Sequence, residues 1–336
     1  MPKNSIIPVF VPHLGCPNNC VFCNQNRISG ALEAATAETV KNAIENAAAL
    51  TPTESKRQLA FYGGSFTAIP AAAQVELFEA AKPYLDSGFI DSIRLSTRPD
   101  AIDEETLARL KKYRVTTVEL GAQSMDDRVL YLAGRGHTSG EVEEAAKMVK
   151  AAGFNLILQM MTGLPGDTEE STAKTAEKII ALKPDGVRIY PTVVVKDTEL
   201  CDMWQRGDYT EHTVEDAVRY CSRIVPMFEE ADIPIIRMGL NPTEDLSGGD
   251  AVGGAYHPAL GELVYSRIMR NKAEALLCDA KPEGSVILGV NSADISKAIG
   301  QHRCNVEYLR EKFRLKSLKF RACDIAKSKI IVISLD

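Results

Sequence analysis

Seven short apolar runs, separated by amphipathic stretches of helical period, constrain this chain more than any other feature. The runs are Ile6 to Val11, Gln58 to Tyr62, Ser92 to Leu95, Thr117 to Leu120, Asn155 to Met160, Val187 to Tyr190 and Ile233 to Arg237. Between them lie Thr36 to Leu50, Ala71 to Leu85, Gly140 to Ala152, Ser171 to Leu182 and Val214 to Glu230, where apolar residues recur at helical spacing. Parallel strands need a crossover of about a dozen residues or more, and an amphipathic helix supplies one. The alternation therefore predicts a parallel sheet or barrel covered by helices, with function where the strands run out into loops. At 336 residues and 45% hydrophobic, the chain is long enough for a barrel-sized domain plus a small appended one.

Reading the strands at period two sets polar residues on one face. Arg94 and Ser96, Glu119, Gly121 and Gln123, Gln159 and Met161, and Arg188 and Tyr190 share a parity with a polar residue near the loop end. A closed barrel core takes branched aliphatic side chains there. Arg94, Glu119, Arg188 and Arg237 inside a sheet need partners, because an unpaired buried charge costs several kcal/mol. Two readings stand: structural ion pairs, or a polar lumen that handles a charged ligand.

The first strand is followed by His13-Leu-Gly-Cys16-Pro-Asn-Asn-Cys20-Val-Phe-Cys23. Three thiolates so spaced on a loop can hold three corners of an iron-sulfur cube and leave the fourth iron open. With His13 as a fourth ligand, a three-Cys, one-His zinc knuckle competes. Cys201, Cys221, Cys278, Cys304 and Cys323 stand alone without ligand spacing and read as small buried hydrophobes. The N-terminus shows no signal-peptide pattern and no apolar run is long enough to span a bilayer, so a reducing cytoplasm and no membrane partner are expected.

Two further segments stand out. Ser247-Gly-Gly-Asp-Ala-Val-Gly-Gly-Ala-Tyr-His-Pro-Ala-Leu-Gly-Glu-Leu-Val264 lacks the lysine of a P-loop and reads as a hinge or lid, with Tyr256 and His257 as minor site candidates. The net charge of −6 gives no global argument for nucleic acid, yet from Lys281 to Asp336 eleven Lys/Arg face six Asp/Glu, a local net of +5 that leaves −11 elsewhere. That end is predicted as strand Ser285 to Val290, helix Ala293 to Ile299, the tight link Gly300-Gln301-His302-Arg303, helix Asn305 to Phe313, and strands Leu318 to Ala322 and Ile330 to Ser334. The order resembles a KH module, which clamps a nucleic-acid backbone with a Gly-x-x-Gly loop; here Arg303 replaces the second glycine. The resemblance implies RNA contacts at Gly300, Gln301, His302 and Arg303, joined by Arg310, Lys312 and Arg314 of the basic tract Leu309 to Arg321. A solvated basic face on a small docking domain is the alternative.

With the cysteine loop placed after the first strand, the other motifs resemble those of the radical S-adenosylmethionine (SAM) enzymes over about residues 5 to 265. Cys16, Cys20 and Cys23, with Phe22 before the last, resemble the superfamily's cluster loop. Gly63-Gly64-Ser65-Phe-Thr67 resembles its turn that receives the methionine amino group, where glycines let backbone approach a ligand. Ser96-Thr-Arg-Pro-Asp100 and Glu119-Leu-Gly-Ala-Gln123-Ser124 lie where relatives contact the ribose and methionine parts. Arg135 resembles the arginine that pairs the methionine carboxylate, and Gly163-Leu164-Pro-Gly166 resembles the turn beside the adenine. Ser96 stands where many relatives have Glu, and Gln159 where some have Asp.

Within the superfamily the strings Gly-Gly-Ser-Phe-Thr, Thr-Arg-Pro-Asp, Arg-Gly-His-Thr138, Arg188-Ile-Tyr-Pro-Thr192 and His257-Pro-Ala-Leu-Gly-Glu-Leu-Val264 resemble the radical SAM half of the Elongator catalytic subunit and its bacterial relatives, with nothing like its acetyltransferase domain. The fold so implied is α/β: a partial (β/α) TIM-like barrel over residues 1–245, a Gly-rich connection and helix over 246–280, and a small C-terminal α+β KH-like domain over 281–336. The implied cofactors are a [4Fe-4S] cluster and SAM, cleaved reductively to a 5′-deoxyadenosyl radical, with a low-potential electron donor such as flavodoxin or ferredoxin as partner. Tyr190, Arg188 and Arg237 are candidate substrate contacts at the barrel mouth, and His137 reads as a hydrogen-bonder at a helix entry rather than an acid or base. The substrate class stays open between an RNA (tRNA or rRNA) and a small metabolite or tetrapyrrole, with a non-enzymatic zinc-and-RNA binder as the outside reading.

Overall fold

The structure, a computed structural model, describes residues 4–11, 16, 18–24, 35–50, 56–240 and 246–335. His13 lies outside the described residues. The chain forms two compact units, Met1–Thr213 with Met227–Tyr256, and Val214–Pro226 with His257–Asp336. Among the described residues no helix is long and apolar enough to cross a membrane.

In the first unit all seven expected strands form: β1 Asn4–Val11, β2 Lys56–Gly63, β3 Ser92–Thr97, β4 Val115–Gln123, β5 Asn155–Thr162, β6 Gly186–Pro191 and, after the short β7 Val193–Val195, β8 Ile235–Met238. They make one parallel sheet in the order β1-β2-β3-β4-β5-β6-β8, curled into a half-barrel. The helices in chain order are α1 Ala37–Leu50, α2 Ala71–Asp86, α3 Glu104–Lys112, α4 Asp127–Leu132, α5 Ser139–Ala151, α6 Glu169–Ala181 and α7 Glu199–Arg206. Their starts follow local chemistry. Thr138 and Glu141 close a capping box on α5, Thr168 and Ser171 do the same on α6, and Asp103 accepts from the Thr106 amide at the head of α3.

The strand parity decides which face is which. Ile7, Val9, Val11, Leu59, Phe61, Ile93, Leu95, Val118, Leu120, Leu156, Leu158, Val187 and Ile189 point to the helix side and are buried. Phe61, Phe66, Phe78 and Tyr113 stack into one aromatic column there. The opposite, inner face carries Tyr62, Arg94, Glu119, Gln159, Arg188 and Tyr190, as the register pairs Gln159 with Arg188 and Arg188 with Arg237.

The Gly-rich connection, read from sequence as a hinge or lid, contains a strand. Within it β9 Ala251–Gly254 pairs antiparallel with β7 in a two-stranded ribbon. Gly254 (φ +81°) lies so close to the partner strand that a Cβ would stand 2.7 Å from the Thr192 carbonyl oxygen. Tyr256 packs against Val193 and Val195, and His257 accepts from the Ala259 amide at 3.1 Å.

The helix α8 Val214–Glu230 contributes its residues up to Pro226 to the second unit. There follow α9 Leu260–Ala280, β10 Ser285–Asn291, α10 Ile295–Ile299, α11 Cys304–Lys312, β11 Ser317–Cys323 and β12 Ile330–Leu335. The sheet order is β11-β10-β12, with β11 parallel and β12 antiparallel to β10. Val286, Leu288 and Leu318 bury against Ala273, Leu277, Val306 and Leu309. The isolated cysteines divide: Cys201 and Cys221 are buried as expected, whereas Cys278 and Cys304 are exposed and Cys323 is half-buried.

Candidate active site at the cysteine loop

The cysteine loop is held at both sides by backbone. The Cys23 amide turns back onto the Cys20 carbonyl at 3.0 Å, the Val21 amide donates to the Ala133 carbonyl at 3.1 Å, and the Leu200 amide donates to Val21 at 2.7 Å. Asn18 Nδ2 reaches the Arg135 carbonyl at 3.4 Å, and Asn24 Nδ2 the Lys196 and Asp197 carbonyls at 3.4 and 3.3 Å. Phe22 packs onto Val129, Ala133 and Leu164, and Val21 onto Val194 and Leu200. The aromatic residue before the last cysteine is thus the loop's apolar anchor. All three thiols stay half-buried.

Two guanidiniums flank those thiols. Arg135 donates from Nη1 to Cys20 Sγ at 3.2 Å and from Nη2 to the Gly121 carbonyl at 2.8 Å. Arg98, which the motif reading left without a role, grips Asp100 through two bonds of 2.8 and 2.9 Å and also donates to the Arg135 carbonyl. Arg98 Nη1 and Arg135 Nε are buried with no partner among the described residues. Burial pushes the Cys16 thiol up from its ordinary pKa, opposed by the Ser65 amide and the two arginines. His137 is held down to about 4 by burial and by Arg135 and Arg98; its Nε2 lies 3.3 Å from the Ala122 carbonyl. It is a neutral tie at the entry to α5, as its position before the Thr138 cap suggested.

The Gly-Gly-Ser-Phe-Thr and Ser-Thr-Arg-Pro-Asp turns are bolted together by hydroxyls. Thr97 Oγ1 lies 3.0 Å from Ser65 Oγ and 2.6 Å from Thr67 Oγ1, while the Arg98 amide donates to Ser65 Oγ at 3.1 Å. The Ser65 side chain is therefore spent on the scaffold, leaving its backbone amide toward Cys16. Gly63 has φ +102°, a region open to glycine, and the Gly64 amide donates to Val11 at 2.7 Å.

At the end of β4 the register slips between Gly121 and Gln123, and Gln123 takes φ +65°. Its Oε1 accepts from Gln159 Nε2 at 3.2 Å. A Cβ on Gly121 would stand 2.9 Å from Gln123 Nε2 and 3.3 Å from Arg135 Nη2, so this glycine is the notch in which the two side chains meet. A left-handed non-glycine residue costs on the order of 1 kcal/mol. Ser96 sits on the inner face in register with Glu119.

The turn Gly163 to Gly166 is braced from residues distant in sequence. Asp167, its carboxyl raised by burial, accepts from the Gly163 amide at 2.8 Å, Tyr209 OH donates to the Gly163 carbonyl at 2.7 Å, and His212 Nε2 lies 3.0 Å from Thr162 Oγ1. Tyr209 and His212 carried no sequence signal, because their role exists only through the fold. Leu164 is buried in the same cluster as Phe22.

These residues fit an iron-sulfur cluster with SAM. The thiols supply soft donors and the orphaned guanidinium N–H groups await an anionic acceptor. Among the described residues no three His, Cys, Asp or Glu side chains converge as ligands of a single ion would; thiolates on separate irons of a cube need no such convergence.

Residues 10–179 match the Radical SAM superfamily and residues 184–270 the Radical_SAM C-terminal domain. The first match spans half of the chain, and the chain belongs to the radical SAM superfamily. It is an enzyme, with a [4Fe-4S] cluster and SAM as cofactors. It is 31% identical over 192 residues to the tRNA uridine(34) acetyltransferase of Methanocaldococcus jannaschii, covering 55% of this chain and 34% of that protein. To the Elongator complex protein 3 of Homo sapiens it is 27% identical over 250 residues, covering 68% and 44%. The chain thus spans between a third and a half of the length of these relatives. The archaeal Methanocaldococcus infernus Elp3 structure superposes with a TM-score of 0.64 at 24% identity over 81% of this chain and 64% of that one. Coproporphyrinogen III oxidase from Escherichia coli gives 0.50 at 19% identity over 68% and 53%; both likenesses are of fold.

Proposed function

We propose that Cys16, Cys20 and Cys23 hold the cluster, that Gly63, Gly64, Ser65, Ser96, Gln123, Arg135 and Leu164 bind SAM, and that the enzyme modifies an RNA. The bound cofactors supply a 5′-deoxyadenosyl radical that abstracts a substrate hydrogen. The chain's own part is to present the methionine carboxylate with Arg135, to line the ribose side with Gln123, and to keep solvent away with the Phe22 and Leu164 cluster. The observation that carries the site is the pair of buried guanidiniums with unsatisfied N–H groups beside the thiols.

The RNA reading rests on the second unit and on the tRNA-directed names of the relatives. Gly300 has φ +78°, and His302 and Arg303, both exposed, also take positive φ of +50° and +65°. The link thus holds a glycine-like backbone although Arg303 stands at the second glycine's place. Arg310 and Arg314 are exposed, while Lys312 is tied to Glu274 at 2.6 Å and to Tyr308 at 3.2 Å, which takes much of its charge out of any RNA footprint. A low-potential electron donor and a cytoplasmic site complete the proposal. The test is 5′-deoxyadenosine release from the anaerobically reconstituted protein with SAM and reductant, with and without total small RNA. Stimulation by RNA supports the reading; release indifferent to RNA moves the substrate to a small molecule.

A further inference from the structure

Glu119 is the only carboxylate on the seven sheet strands, yet the inner face there carries Arg94, Arg188 and Arg237. It is already shared. Arg94 Nε stands 3.1 Å from one oxygen and Arg188 Nε 2.8 Å from the other, and Tyr62 OH donates to it at 3.3 Å. Arg188 also donates to the hydroxyls of Tyr62 and Tyr190 at 3.1 and 3.3 Å. Arg237, the register neighbour of Arg188, donates to the carbonyls of Gly239 and Leu240 at 3.0 and 3.1 Å and pairs with no carboxylate among the described residues. Arg94, Arg188 and Arg237 thus exceed Glu119 by two positive charges, with Arg94, Arg188 and Glu119 largely buried, and like charges on adjacent strands destabilise one another.

We infer that the inner face around Arg188 and Arg237 holds an oxyanion of the substrate, a phosphate or carboxylate group, with Tyr190 beside it. The excess charge supplies the attraction. Backbone carbonyls fix the Arg237 fork before the ligand arrives, so little side-chain freedom is lost on binding. Glu119 sets the angle of Arg188 and offsets one of the three positive charges. This inference rests on the reading of Tyr190, Arg188 and Arg237 as substrate contacts and is independent of whether the oxyanion is an RNA phosphodiester or a metabolite carboxylate.

The test is equilibrium dialysis of the anaerobically reconstituted full chain, with SAM present, against inorganic phosphate, a 5′-phosphorylated trinucleotide and glutarate. Binding of at least one probe is expected to weaken about tenfold, or about 1.4 kcal/mol, in Arg237→Met. Arg237→Lys retains it within a few-fold, and SAM binding is unchanged in both. Glu119→Gln is expected to tighten the same probe several-fold, an outcome that a merely structural Arg237 would not produce. Loss confined to the phosphate probes supports a phosphodiester, and loss confined to glutarate a metabolite carboxylate. No probe binding that depends on Arg237 overturns the inference, as does weakened binding in a folded Glu119→Gln. Stimulation of 5′-deoxyadenosine release by RNA, with Arg237 inert toward all three probes, overturns it alone. Arg237-dependent glutarate binding without any response to RNA overturns only the RNA reading.

Discussion

His137 shows what the site asks of single residues. Its imidazole is buried between Ala122 and two guanidiniums, and its pKa falls from 6.5 to about 4. Above pH 6.5 the group is neutral in both folded and unfolded chains and costs nothing. As pH falls from 6.5 toward 4 the unfolded chain takes up a proton that the folded chain refuses, so stability is lost across that window. The loss by pH 4.5 is on the order of 2 kcal/mol. Urea unfolding at pH 7 and 4.5 should show that extra loss in the wild type and not in His137→Gln; parallel losses would refute it. Gln123 is the second case. In Gln123→Ala the SAM affinity measured by anaerobic calorimetry should fall about tenfold, about 1.4 kcal/mol, with the cluster absorbance intact. The motif made Gln123 visible in the sequence, but its left-handed backbone and its seat over Gly121 were not, since both arise from the register slip between β4 and β5. Arg98 sat within a quoted motif, and its role emerged only when Asp100 and the Arg135 carbonyl closed around it.

At the scale of elements, the cysteine loop borrows its shape from the segment Gly134 to Gly136. A Cβ on Gly136, whose φ is +70°, would fall 2.1 Å from Asn18 Nδ2. Gly136→Ala should therefore displace Asn18 and lower the iron bound per chain on reconstitution, while the far-ultraviolet circular dichroism stays as in the wild type. Full iron loading would show that the loop holds itself. The seven parallel strands were legible because each alternates or runs apolar over enough residues to declare its period. The β7 and β9 ribbon was not. Three valines give too short a signal, and its partner is a glycine-rich stretch whose pairing depends on close approach to Thr192 rather than on side-chain pattern. The charged strand residues admitted ion pairs or a polar lumen that handles a charged ligand; the structure shows the ion pairs, with one carboxylate serving two arginines and the third arginine held by backbone carbonyls.

For the whole molecule, the basic C-terminal end was plain from charge counting, whereas the committed state of Lys312 needed Glu274, distant in sequence, to be seen. If the full chain binds RNA as proposed, that binding is expected to be salt-dependent. Arg310→Ala and Arg314→Ala should each reduce the slope of log affinity against log salt by about 1, and Lys312→Ala by less. Equal slopes in all three variants would contradict the assignment of charges.

The central claim is that three cysteines hold a cube whose fourth iron is open to SAM. It is tested most directly by the paramagnetic resonance spectrum of the reduced, reconstituted protein before and after SAM is added. The spectrum should shift with SAM in the wild type, and the cluster signal should be lost in Cys20→Ala. A fully loaded cluster whose spectrum ignores SAM would mean that the fourth iron is already closed, and would contradict the account.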